Sequence, residues 1–242
     1  MNILHAFADY GTESETLQAF GGITRASIDP EPNGVGRLVK VDLSDPDSVP
    51  FQPGEFDLGL FHPPCTRWAN MSNNGGGSDA PNLVDEAREI GRRYCTDYII
   101  ENVPRAPLND PVVLNGKMFG LPIEYERAFE TSFRVDQPAR QQSLGTETSS
   151  YYYTEMPPSW WCSVKGVPAG KYPVEHVAKN ATPAAYLHHV LRAWTRAVDS
   201  EARPDYTNYG KKMDTRQRRA ENSELTAYTD GGAANDRGTE GE

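Results

Sequence analysis

The sequence predicts an α/β fold: a mostly parallel sheet with helices on both faces. Two observations predict it. Short apolar runs alternate with stretches of helical period up to residue 130, and nearly every run ends in Asp, Gly or Pro. At 242 residues, 37% hydrophobic and 24% charged, the chain is expected to form one domain over residues 1–200, followed by a disordered charged tail over 201–242.

The elements follow in order. Residues 3–8 (Ile-Leu-His-Ala-Phe-Ala) read as a buried strand that ends at Asp9, Tyr10 and Gly11. Thr12 with Glu15 forms a capping box for a helix carrying Leu17 and Phe20. Further strands are expected at Thr24–Ile28 before Asp29, at Leu38–Val41 before Asp42, and at Phe56–Phe61 before His62-Pro63-Pro64-Cys65. Residues 82–98 place Leu83, Ala87, Ile90, Tyr94 and Tyr98 at helical spacing, and Ile99-Ile100 then read as the end of a strand before Glu101-Asn102-Val103. Residues 136–180 are polar and rich in Pro, Tyr and Trp, with little periodicity. A last helix begins at Thr182 as cap, with Pro183 in its first turn and Leu187, Leu191, Trp194 and Val198 on one face.

Composition excludes several classes. Three cysteines without a CxxC pair argue against a disulfide scaffold or a cysteine-based zinc site, and no metal is expected. No apolar run approaches the roughly 18 residues of a membrane span, and the N-terminus lacks a signal pattern, so a cytoplasmic protein is expected, in the host cytoplasm if viral. The formal charge is −10, from 34 acids against 17 arginines and 7 lysines. A nucleic-acid partner would therefore need a locally basic groove. The basic stretch Lys211, Lys212, Arg216, Arg218 and Arg219 is read as a solvated tail.

In an open parallel sheet, ligands bind beyond the carboxyl ends of the strands. Phe7 to Gly11 is a strand-to-helix turn at such an end. Asp29 is suited to ribose hydroxyls and Asp42 to an adenine amino group. Three such features in register point to a nucleoside-containing cofactor. Pro63-Pro64 holds Cys65 on a rigid turn at the mouth of the sheet, where a thiolate is exposed as a nucleophile. Glu101 supplies a carboxylate at a neighbouring strand end.

In this order, Phe7…Gly11, Asp29, Asp42, Pro63-Pro64-Cys65, Glu101-Asn102-Val103, Gly120-Leu121-Pro122 with Glu126-Arg127-Ala128-Phe129, and Asn180-Ala181-Thr182-Pro183 resemble the C5-cytosine DNA methyltransferase family over residues 1–195. The length is most similar to that of compact methylases carried by viruses of prokaryotes. The resemblance implies a Rossmann-like methyltransferase domain, S-adenosylmethionine as cofactor, DNA as partner and a monomer. It assigns Cys65 as nucleophile, Glu101 to the N3 edge of the ring, and Arg127 to the base or its adduct. Phe7, Gly11, Asp29, Asp42, Pro64 and Asn180 would bind the cofactor. The recognition region, residues 136–180, is reduced. Its Trp160 and Trp161 are expected at the DNA, as is Arg67, with Asn73–Ser78 as a closing loop. The chain departs from the family at Asp9, where a glycine is usual, after Cys65 at Thr66-Arg67-Trp68-Ala69, and at Ile123 and Tyr125. Two further readings stay open: a decayed methylase fold that only binds DNA, and C5 modification of another pyrimidine or of RNA. A nicotinamide dehydrogenase is disfavoured, since the first turn lacks GxGxxG.

Overall fold

A computed structural model describes residues 1–69, 79–139, 145 and 147–200. The expected closing loop at Asn73–Ser78 and the charged tail lie outside the described residues.

Five parallel strands form the body of the sheet: β1 (Asn2–Ala6), β2 (Gly22–Ser27), β3 (Arg37–Lys40), β4 (Phe56–Phe61) and β5 (Cys95–Asn102). Two more extend it: β6 (Val112–Leu114) and β8 (Arg127–Thr131). A short pair, β7 (Ile123–Glu124) with β9 (Thr148–Ser149), stands apart. The sheet order is β3-β2-β1-β4-β5-β8-β6, with β8 antiparallel to both its neighbours. The strand order therefore reverses between β1 and β4, the point at which doubly wound sheets bind ligands.

Helices cover both faces because the strands alternate between two apolar sets. Ile3, Leu60 and Ile99 pack toward α5 (Ala184–Asp199), which contributes Leu187, Val190, Leu191 and Trp194. Leu4, Phe61 and Ile100 pack toward α2 (Val84–Tyr94) through Ala87, Ile90 and Tyr94. Near-continuous apolar runs of this kind mark strands buried on both sides. The remaining helices are α1 (Ser14–Leu17), α3 (Pro158–Lys165) and α4 (Val174–Lys179). No helix among the described residues is long and apolar enough to cross a membrane.

Five local expectations are corrected. Residues 95–98 are strand, not helix: the backbone turns extended at Cys95 (φ −121°, ψ 148°), and pairing of Cys95 with Phe56 and Tyr98 with Gly59 prevails over helical spacing. The first strand stops at Ala6 because Phe7 adopts a left-handed conformation (φ 58°). Thr12 does not cap α1; its hydroxyl donates to Glu13 Oε2, and Glu15 instead meets Lys171 and Tyr172. Thr182 does not cap α5 through its side chain, since Pro183 holds the N-cap position and the Thr182 amide donates to Glu13 Oε1 at 2.8 Å. The stretch expected to be irregular holds α3 and α4, short helices entered through Pro157 and Pro173.

Candidate active site

Register brings the strand ends to one level. Ala6 pairs with both Ala26 and Phe61, and Phe61 with Ile100, so the loops after β1, β2, β4 and β5 open side by side. Beyond them lies a cavity of about 740 Å³. Phe7, Gly11, Asp29, Asp42, Pro64, Cys65, Glu101, Arg127 and Asn180 all line it. On its other side a second cavity of about 780 Å³ shares Cys65, Val103, Arg127 and Asn180 with the first. Cys65 and Arg127 thus face two spaces large enough for small-molecule or nucleoside ligands.

Backbone contacts fix the cysteine. The Asn102 amide donates from Nδ2 to the Pro63 carbonyl at 2.9 Å, and the Trp68 and Ala69 amides donate to the Cys65 carbonyl. The Glu-Asn-Val and Pro-Pro-Cys segments are therefore physically joined. Arg67 is exposed on this turn and stacks over Trp68 at 5.5 Å. Burial pushes the Cys65 thiol above its ordinary value; Arg127 pulls it down and Glu101 pushes it up, and the raised state wins. Iodoacetamide is therefore expected to modify Cys65 slowly at pH 7 and progressively faster as pH rises. Arg127→Met should slow the reaction further at each pH. Equal rates in the two proteins would remove Arg127 from the thiol's surroundings. Cys95 and Cys162 are buried and serve as internal references.

Glu101 sits between two basic groups. His62 Nδ1 lies 2.7 Å from its Oε2, and Arg127 Nε lies 2.9 Å from its Oε1, an ion pair without hydrogen-bond alignment. Oε1 is buried and, although close to Arg127, makes no hydrogen bond, so it keeps acceptor capacity. Arg127 is held in turn by Tyr125 Oη (2.5 Å) and the Lys179 carbonyl (3.1 Å), with its guanidinium 4.3 Å from the Tyr125 ring centre. Tyr125, a departure from the family pattern, is thus the seat of Arg127. Its ring also packs against the buried Lys165 Nζ at 3.0 Å, whose pKa burial and Arg127 hold well below the usual lysine range.

The first turn is built differently from the expectation. Gly11 (φ 65°) is required because a Cβ there would lie 2.1 Å from Arg25 Nε. Buried Arg25 donates to the carbonyls of Ala8, Asp9 and Glu31 and so stitches the loop together. Asp29 and Asp42 are exposed at the cavity rim; Asp29 pairs with Lys40 at 3.0 Å, and Asp42 accepts from the Ser44 amide. Ser27 Oγ lines the same space, buried and without a partner.

Trp161 is not available to DNA. It is fully buried, its Nε1 donates to the Tyr153 carbonyl at 2.8 Å, and Trp160 packs edge-on against it at 4.8 Å. Neither tryptophan lines the two cavities. Tyr151, 61% exposed, lines the second cavity instead, beside Trp68, Arg105, Lys117 and Lys179. Glu124 and Glu126 share that lining, so the groove is of mixed charge, not uniformly basic.

His5, Glu13 and His62 carry no role in the sequence reading, yet they cluster beneath the first cavity. Burial, with His62 adding to it, holds His5 well below the usual histidine range. Burial opposes charge on Glu13, but the two histidines and the Thr182 amide prevail and hold it at about 2. The signal lay in three polar residues inside otherwise apolar or turn segments, which single-residue inspection passes over.

Strand order and a cavity at the switch point define the class: the chain has a Rossmann-like, doubly wound α/β fold with its candidate site beyond the carboxyl ends of the strands. No family model and no curated protein matches it. Among solved structures it is similar to an E. coli prophage protein described as a DNA modification methyltransferase (TM-score 0.40, 14% identity, 60% of this chain and 52% of that one). It is also similar to yhhF of Escherichia coli, described as a methyltransferase (0.33, 13%, 54% and 73%). A third likeness is to HI0767 of Haemophilus influenzae, described as a methylase (0.32, 12%, 53% and 77%). The chain spans about half the length of the prophage protein.

Proposed function

We propose that the chain transfers a methyl group from S-adenosylmethionine to C5 of cytosine in DNA through a covalent Cys65 adduct. One observation carries this reading: Cys65 and Arg127 stand at the boundary of two cavities, with Glu101 paired to Arg127 in the first, which Phe7, Asp29 and Asp42 rim. A nucleoside-bearing donor suits the first cavity, where the orphaned Ser27 Oγ and the two rim carboxylates offer it hydrogen bonds. When bound, that donor supplies an electrophilic methyl on a sulfonium.

The rest is the work of side chains. Cytosine C5 is a weak nucleophile. The Cys65 sulfur, having lost its proton to water in the cavity, bonds to C6 and pushes electron density onto C5. Glu101 Oε1 accepts a hydrogen bond from the protonated N3 or the amino group of the ring, and Arg127 balances the negative charge that develops. After C5 has taken the methyl, loss of the C5 proton restores the ring double bond and expels the Cys65 thiolate. C6 is out of reach in a stacked duplex, so the base enters by the second cavity, flipped out at a cost of a few kcal/mol. Tyr151 and Trp68 are placed to stack on nucleic acid there, in the role that the two tryptophans were expected to fill.

Mass spectrometry of nucleosides from DNA and RNA of cells expressing the chain tests this. 5-Methylcytosine in DNA is expected. The mark in RNA alone would move the substrate, and its absence from both, with DNA binding retained, would leave a binding protein on a methylase fold.

A further inference from the structure

We propose that His5, Glu13 and His62 form a binding site for one divalent transition-metal ion of the zinc class. One ring nitrogen of each histidine and a Glu13 carboxylate oxygen all lie within 4.8 Å of one another, with His5 Nε2 3.8 Å from Glu13 Oε2. A tetrahedral ion with ligand bonds near 2.0–2.1 Å needs its donors about 3.3 Å apart, so a modest inward shift of side chains completes the set.

The hydrogen bonds around the trio favour a cation at its centre. His62 Nδ1 faces the Glu101 carboxylate, which offers only lone pairs, so Nδ1 carries a hydrogen. Its Nε2 holds either a proton, which Glu13 and Glu101 favour against burial, or a lone pair that a metal ion would take in that proton's place. His5 Nδ1 is likewise engaged, by Ser14 Oγ at 2.8 Å. Both Nε2 atoms are buried without a hydrogen-bond partner, and His5 is fully buried. The separation of 3.8 Å is too long for a hydrogen bond between His5 and Glu13. Glu13 itself is clamped by the Thr182 amide on Oε1 (2.8 Å) and the Thr12 hydroxyl on Oε2 (2.9 Å). Two unpartnered ring nitrogens and an oriented carboxylate therefore gather in a low-dielectric interior, an arrangement that a bound cation would satisfy.

This is also how metal-binding histidines are usually supported, with the second ring nitrogen bonded to a carboxylate or other oxygen and the ligating carboxylate hydrogen-bonded as well. Two nitrogens and one oxygen suit zinc, cobalt or nickel and leave a coordination position open. Glu13 and His62 line the 740 Å³ cavity, which gives the ion an entry path and a water for that position. A bound ion would join β1, the turn before α1 and the end of β4. It would also fix the His62 tautomer that donates to Glu101, which makes it a positioning element for that carboxylate. The site stands whether or not the chain methylates DNA.

Titration of the chelator-stripped chain with Co²⁺ tests the proposal without any activity assay. One Co²⁺ per chain is expected, with the visible bands of a four- or five-coordinate ion, abolished by Zn²⁺. The melting temperature should rise by about 5–10 °C at a hundredfold excess over the dissociation constant, and Mg²⁺ should not reproduce it. His5→Gln and His62→Gln, each checked for folding by circular dichroism, should lose the bands, whereas His176→Gln should keep them. Folded, stripped protein that gives neither bands nor a melting shift overturns the site and leaves a proton on His62 as the balancing charge. Bands that persist in both ligand variants overturn it as well.

Discussion

Cys65→Ser is expected to lower methyl transfer by about 10⁴-fold or more, the scale seen when a covalent nucleophile is removed. Serine keeps the size of the side chain and the Pro63-Pro64 turn, so the cavity and the bond from Asn102 to the Pro63 carbonyl should survive. What changes is the nucleophile. A hydroxyl is far less acidic than even the raised Cys65 thiol, and Arg127 cannot draw enough alkoxide from it. Cofactor affinity, read by calorimetry, should stay within a few-fold of the parent, because Phe7, Asp29 and Asp42 are untouched. A serine variant within tenfold of the parent rate would remove Cys65 as nucleophile while leaving the fold and donor cavity as they are.

The largest effect on stability is expected at Glu130. Its carboxylate is 3% exposed on β8 and takes two bonds from Arg88 of α2, at 2.7 and 2.8 Å, and a third from the Asn109 amide at 2.8 Å. Glu130→Gln leaves the Arg88 guanidinium with only the exposed Asp85 as counter-charge, and breaking a buried pair in this way costs about 3–5 kcal/mol. For a domain of this size that lowers the melting temperature by roughly 10 °C. The pH dependence has a definite sign. Burial pushes the Glu130 carboxyl up, but the Arg88 and Asn109 bonds outweigh it and hold it below its ordinary value. Its stabilisation is therefore complete above the unfolded carboxylate value of about 4.3 and fades as pH falls through the lower folded value. The gap in melting temperature between parent and variant should narrow below about pH 4. A gap that is constant down to pH 3 would show that the ion pair is not its source.

These residues show what was legible in the sequence. The strand-end motifs could be read because parallel pairing converts positions far apart in the chain into neighbours at one edge. Phe7, Asp29, Asp42, Cys65 and Glu101 need only the sheet order to meet. Helix limits were less visible, since Tyr94 and Tyr98 keep a helical spacing that only pairing of Tyr98 with Gly59 overrides. Caps failed for a related reason: Glu13 claims both the Thr12 hydroxyl and the Thr182 amide, a contact across 169 residues that local motifs cannot foresee. The adjacent tryptophans looked like a surface for bases, but their helix turns Trp161 inward, and Tyr151, from the same aromatic stretch, is the residue that reaches the cavity. Tyr125 read as a departure from the pattern that the sequence resembles. In three dimensions it supports Arg127, a role open to a phenol because it both accepts from the guanidinium and underlies it.

The most direct measurement uses DNA in which cytosine carries fluorine at C5. The C5 position then has no proton to lose after methyl transfer, so the bond from sulfur to C6 cannot be released. With S-adenosylmethionine present, a single denaturation-resistant adduct is expected, and peptide mass mapping should place it on Cys65 with a methyl group added to the base. An adduct on another cysteine, or turnover of ordinary cytosine with no adduct on the fluorinated base, would contradict covalent catalysis at the junction of the two cavities.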